Sequence, residues 1–223
     1  MPDPSPIAVS LASIRARIAA AAHAAGRDPA SITLVAVSKT HGQEAVAAAL
    51  AAGQTVFGEN RLQEAQSKFP DMLAANPAVR LHLIGGLQTN KARDAVKLCH
   101  MIETLDRDSL ADAIAKAAEK EGRCPDLLIQ INIGDEPQKS GVPTADADRF
   151  IRAMQTRFAP YVQGLMCIPP ANTNPTPYFQ HLTALADTHN LPIRSMGMSG
   201  DFETAIYEGA TQIRIGSSIF GAR

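Results

Sequence analysis

The sequence predicts an α/β protein built as a single (β/α)8 barrel of the TIM type, preceded by one extra helix, and three observations predict it. Short apolar segments alternate with helical stretches eight times along the chain, a pattern that reads as βαβ units and a parallel sheet. Several of those segments, such as "LLIQINI", are apolar at consecutive positions, as strands covered on both faces are. No linker or shift in composition divides the 223 residues, so one domain over 1–223 is expected, slightly smaller than the roughly 250 residues usual for such a barrel. An open doubly wound sheet is the competing arrangement, and the eightfold count favours the barrel.

Residues 7–25 form the first helix: Ser5 caps it, Pro6 suits its first turn, Ile7, Leu11, Ile14 and Ile18 recur at helical spacing, and Gly26 ends it. Strands are expected near 32–37, 54–57, 81–84, 100–103, 127–133, 161–166, 193–196 and 211–215. Helices are expected over 42–51, 60–74, 89–97, 107–121, 145–157, 175–188 and 201–208, with a closing helical turn at 217–221. The Pro-rich piece "IPPANTNPTP" reads as a long loop after the sixth strand.

Bulk properties remove several function classes. A net charge of −1 without a long run of one sign argues against a nucleic-acid binder, which needs a basic face. The absence of tryptophan and an aromatic share of 4% remove a base-stacking surface as well. No run of 18 uninterrupted apolar residues exists, so no membrane span is expected. The N-terminus "MPDPSPIAVS" lacks a positive start and an apolar region, unlike a signal peptide. Cys99, Cys124 and Cys167 are odd in number and far apart, which fits reduced thiols of a cytoplasmic protein rather than disulfides or zinc. The six histidines show no metal-ligand spacing, and no metal is expected.

Function is expected on the loops after the strands, at the C-terminal end of the barrel. The stretch "SITLVAVSKT" carries its first strand straight into Lys39 at that end. Such a lysine is either solvated or a chemical group. The far end of the chain decides between them: Gly197, Met198, Ser199 and Gly200 follow strand seven, and Gly216, Ser217 and Ser218 follow strand eight, each loop small and feeding a helix start. Loops in these two positions recurrently cradle a phosphate. Capping by Ser and Gly explains either loop alone, but not two in adjacent units. Asp201 opposes the phosphate unless it turns away or the phosphate sits nearer the last loop. Closure of a barrel sets strand one beside strand eight, so an amine stands next to an anion cradle. An aldehyde carrying a phosphate fits both, and pyridoxal 5′-phosphate is such a cofactor, held as a Schiff base.

The segments "LVAVSKT", "FGENRLQEA", "HLIGGLQTNK", "KSGV", "GLMCIP", "GMSGDFETAI" and "RIGSSIFGAR" together resemble the pyridoxal phosphate homeostasis proteins (YggS family) over almost the whole chain. The resemblance implies a barrel of the alanine-racemase N-terminal-domain type, the cofactor on Lys39, and a role in buffering or delivering it. It also implies Asn60 near the cofactor ring, Ser199, Gly216 and Ser217 on the phosphate, and Arg214 facing the pyridine nitrogen. Arg61, where the family often has tyrosine, and "LHLIGG" in place of an aromatic-rich segment depart from the pattern. Those departures touch neither Lys39 nor the phosphate loops.

A binder is favoured over an enzyme. Racemases of this type use a second domain and a tyrosine base, whereas here the barrel is expected to take up the whole chain. None of Tyr161, Tyr178 and Tyr207 lies in a motif that places it over the cofactor. A cationic Arg214 disfavours protonation of the ring nitrogen, which weakens it as an electron sink; its bland alternative is a salt bridge near the barrel end. His82 either reaches the pocket or is a satisfied core histidine, Met198 reads as pocket wall, and His41 as a helix cap. Gln88, Asn90 and Lys91 read as a solvated helix start, and Lys139 as a solvated turn residue, with a second anion contact as its sharper alternative. The expected cofactor-binding set is Lys39, Asn60, His82, Met198, Ser199, Arg214, Gly216 and Ser217, in a monomer that meets apo-enzymes needing the cofactor transiently. The alternatives are a cofactor-dependent racemase or decarboxylase, a lysine aldolase acting on a sugar phosphate, and, last, an interaction module.

Overall fold

The computed structural model describes residues 5–221. Residues 1–4 of the stretch "MPDPSPIAVS" and residues 222–223 of "RIGSSIFGAR" lie outside the described residues. Ser5 Oγ accepts the Ala8 N–H at 3.2 Å and starts α1 (Pro6–Ala24). The alternation then runs β1 (Thr33–Val37), α2 (Gln43–Ala51), β2 (Val56–Glu59), α3 (Leu62–Lys68), α4 (Pro70–Ala75), β3 (Arg80–Leu83), α5 (Ala92–Leu98) and β4 (Met101–Leu105). It continues with α6 (Asp108–Glu121), β5 (Asp126–Asn132), β6 (Val142–Pro143), α7 (Thr144–Arg157), β7 (Val162–Cys167) and α8 (Thr176–Thr188). It ends with β8 (Ile193–Ser195), α9 (Phe202–Tyr207), β9 (Gln212–Ile215) and α10 (Ser217–Phe220).

Parallel pairings run β4-β3-β2-β1-β9-β8-β7-β5, and a further β4–β5 pairing closes them into an eight-stranded barrel. The open-sheet alternative is thereby excluded. Two details differ from expectation. The helix expected over 60–74 breaks at Phe69, where Pro70 begins α4, because proline has no N–H to donate and its ring clashes with the preceding turn. The segment before α7 contains β6, two residues that pair with Ile131 and Asn132 at the end of β5; so short a strand has no periodicity to read.

The extra helix has a structural task. Helix α10 is four residues long, too short to cover the outer faces of β1 and β9. Helix α1 packs against α2, α9 and α10 in its place, burying Leu11, Ile14, Ile18 and Ala22. It is long and apolar enough to cross a membrane on length and composition alone, but its apolar side is spent on the barrel and it carries Arg15 and Arg17. The main core lies between strands and helices; Met101, Leu128 and Met166 form a separate small cluster against which Ile168 and Ile193 pack.

Ile14→Ala cuts a side chain 2% exposed in this seam and is expected to destabilise the fold by about 2–4 kcal/mol in urea unfolding. A loss under about 0.5 kcal/mol, the size of a surface substitution, would show that α1 is not part of the cooperative unit.

Candidate functional site

The sequence of β1 delivers Lys39 to the barrel mouth because its pairing with β9 is in register: Val35 lies opposite Arg214 and Ala36 opposite Ile215. The two strand ends then run close together. A Cβ on Gly216 would sit 3.1 Å from the Val37 carbonyl oxygen, so a larger residue would push the Ser217 loop away from Lys39. On the other side, Gly197 turns with φ 91°, and a Cβ there would meet Ala205 Cβ at 2.6 Å; only glycine lets the Met198–Gly200 loop fold down onto α9.

These loops enclose a cavity of about 450 Å³ lined by Val37, Lys39, Asn60, Ile84, Ile168, Met198, Ser199, Gly200, Arg214, Gly216 and Ser217. Its volume is that of a small-molecule site. Its charge is one-sided: among the described residues Lys39 and Arg214 line it, and no carboxylate does. The Ser217 and Ser199 hydroxyls come within 3.3 Å of each other, so two hydroxyls from different loops converge at one edge. Ile84, Ile168 and Met198 supply apolar wall. A cavity of equal volume lies at the other end of the barrel, but its cation, Arg15, already donates to the Ala52 carbonyl at 2.9 Å.

Seven of the eight residues expected from the sequence line the upper cavity together. The exception, and a correction, is His82. It is buried one layer below, with Nδ1 2.8 Å from Glu103 Oε1, so it is the satisfied core histidine rather than a pocket residue. His41 is corrected too: the N-cap of α2 is Gly42, with no side-chain cap, and the His41 ring lies 5.3 Å from that of Phe220. Asp201 turns away from the cavity: its Oδ1 accepts the Met198 N–H at 2.6 Å. Tyr161 and Tyr207 are exposed on the outside, and no tyrosine lines the cavity. Arg61 is exposed, and Gly86 faces open space. Gly85 matters more, because a Cβ there would collide with the Asn60 carbonyl oxygen at 2.1 Å; its bareness allows the β3 loop to pack on Asn60.

Sequence reading missed what holds Arg214. Its guanidinium donates to Ser195 Oγ at 2.6 Å and to the Cys167 carbonyl at 2.9 Å. Ser195 in turn donates to Glu103 Oε2 at 2.6 Å, and Gln212 to Glu103 Oε1 at 2.7 Å. Glu103 is wholly buried. Burial pushes its carboxyl up, but the hydrogen bond and charge of His82, the charge of Arg214 and the Ser195 hydroxyl outweigh that and hold it below the ordinary carboxylate range. The cavity floor is thus a fixed cation over a fixed carboxylate.

Comparison with known proteins places this geometry. The alanine racemase N-terminal domain family matches residues 9–223. The pyridoxal phosphate homeostasis protein of Escherichia coli is 38% identical over 226 residues, covering 97% of each chain. That of Aquifex aeolicus is 39% identical over 222 residues, covering 96% of each. The structure of PipY from Synechococcus elongatus with PLP bound has a TM-score of 0.84 at 35% identity, covering 96% of this chain and 100% of PipY.

Glu103→Gln is expected to destabilise the protein at pH 7 by about 3–5 kcal/mol, because it removes the buried carboxylate that pairs with His82 and opposes the Arg214 charge across Ser195. A depressed folded-state value means that the Glu103 contribution is full above the unfolded value, about 4.3, and is lost as pH falls through the folded one. Unfolding followed from pH 7 to pH 3 therefore shows a shallower acid loss in the variant; equal slopes would remove Glu103 from the account.

Proposed function

The chain belongs to the pyridoxal phosphate homeostasis family, within the alanine racemase N-terminal domain family, and from that premise we propose that it binds pyridoxal 5′-phosphate in the Lys39 cavity to hold and hand on the cofactor. The observation that carries this is the convergence of one amine, one anchored guanidinium and two hydroxyls on a cavity that, among the described residues, no carboxylate lines. When bound, the cofactor supplies an aldehyde, and the Lys39 amine condenses with it as a Schiff base with loss of one water.

The residues present fit the group. Ser199 and Ser217 donate to the phosphate, with backbone N–H groups of Gly200 and of the turn after Gly216 beside them. Arg214 faces the ring nitrogen. Its charge, fixed from below by Ser195 and the Cys167 carbonyl, opposes a proton on that nitrogen. Asn60 and Met198 border the ring. His82 has no part in this set.

The non-catalytic half of the proposal rests on the lining. Among the described residues it contains no Tyr, His, Asp or Glu, so a substrate proton would meet no second acid or base from them beside Lys39. We assign the work to a single barrel domain over 1–223, acting as a cytoplasmic monomer that passes the cofactor to apo-enzymes by transient contact.

Purified protein titrated with pyridoxal 5′-phosphate is expected to show a longer-wavelength absorbance band than the free cofactor, and Lys39→Ala to abolish it. A colourless wild type would contradict the binding reading. Steady turnover of a free amino acid well above that of the cofactor alone would contradict the non-catalytic one.

A further inference from the structure

Lys39 lies between two residues that are both held from outside the barrel. Ser38 is fully buried, and its hydroxyl donates to Glu59 Oε1 at 2.7 Å. Thr40 has φ 68°, a left-handed conformation that a β-branched residue adopts only under constraint. Its N–H donates to Glu64 Oε2 at 2.8 Å.

A second lysine joins these two arms. Lys68 Nζ lies 2.9 Å from the Ser38 carbonyl oxygen, 2.9 Å from Glu59 Oε1 and 3.2 Å from Glu64 Oε2. An ammonium has three N–H donors, and here each has an acceptor. The Lys68 side chain is 9% exposed, and it does not line the Lys39 cavity. Glu59, Glu64 and Lys68 come from the end of β2 and from α3, so the brace is built from the next unit of the barrel. Among the described residues, Glu59 Oε2 is buried without a partner. A tie between helix and barrel alone would not need Lys68 on the Ser38 carbonyl, Glu59 on the Ser38 hydroxyl and Glu64 on the Thr40 N–H, three contacts that end on the two residues flanking Lys39.

We propose that Lys68, with Glu59 and Glu64, is a positioning device for Lys39: it fixes the Ser38 carbonyl and the carboxylates that grip the Ser38 hydroxyl and the Thr40 N–H, so that the Lys39 amine enters the cavity from one direction. That role presupposes Lys39 as the anchoring amine. Lys68 touches no ligand; it acts through the backbone on both sides of Lys39. Displacing a reacting group by about 1 Å can cost up to about 100-fold, so loosening this turn weakens the covalent contact while leaving the phosphate contacts in place.

Two ligands separate positioning from general damage: pyridoxal 5′-phosphate, which has the aldehyde, and pyridoxine 5′-phosphate, which has an alcohol in its place. Lys68→Met keeps the stem and removes the three donors. It is expected to weaken pyridoxal 5′-phosphate binding at least about tenfold and pyridoxine 5′-phosphate binding less than about twofold. Glu64→Gln removes the charge that holds the Thr40 N–H from a half-buried surface position, and is expected to give the same pattern at about threefold. It decides the matter alone if Lys68→Met does not fold. Equal losses for both ligands, or no loss for either, would overturn the positioning role. If wild type forms no absorbance band, or Lys39→Ala keeps it, the fault lies instead in the assignment of Lys39.

Discussion

Everything at the mouth of the barrel depends on one set of backbone hydrogen bonds, the parallel pairing that closes β1 onto β9. Thr33 to Ala36 lie opposite Gln212 to Ile215. In that register Leu34, Ala36, Ile213 and Ile215 face the helices and join the main core, while Val35 and Arg214 face inward. A slip of β9 by one residue would turn that strand inside out, burying Arg214 among the helices and exposing Ile213 and Ile215 to the barrel interior. The register that satisfies the core is therefore the register that sets Lys39 beside Ser217. Folding energy and site geometry are one constraint here.

Two buried carboxylates then prepare the site from opposite sides. Glu103, inside the barrel, is met by His82, Ser195 and Gln212, and its carboxyl is held low. Glu59, outside the barrel wall, is driven up by burial, which the Lys68 and Ser38 hydrogen bonds only partly offset. The difference follows from partners: Glu103 has donors on both oxygens, whereas Glu59 Oε2 has none among the described residues. Buried charge of this kind adds little net stability and is better read as a device that fixes geometry. One network holds the guanidinium of Arg214 directly, and the other holds the residues on both sides of Lys39.

The barrel was legible because strand and helix periods alternate clearly and because Gly and Pro punctuate them. The cavity was legible because loops after strands one, seven and eight of a closed barrel must meet. Depth inside the barrel was not legible. His82 on β3 and Ile84 just past its end share a parity, so both point inward, yet only Ile84 lines the cavity; two residues of extended chain are about 7 Å, a whole layer. Sequence parity gives the face and not the layer. Glu103 and Glu59 were missed for a related reason: each reads as one polar residue in an apolar strand, and nothing local says that Ser195 or Lys68 will arrive to meet it. The break at Pro70 has a local signal in "SKFPDM", since proline opens a helix more readily than it continues one.

The most direct test of the central claim is to load the protein with pyridoxal 5′-phosphate, reduce it with borohydride and map the modified peptide by mass spectrometry. The barrel closure described here predicts one pyridoxyl group, on Lys39. A group on Lys68, Lys91 or Lys139 with Lys39 unmodified would contradict it.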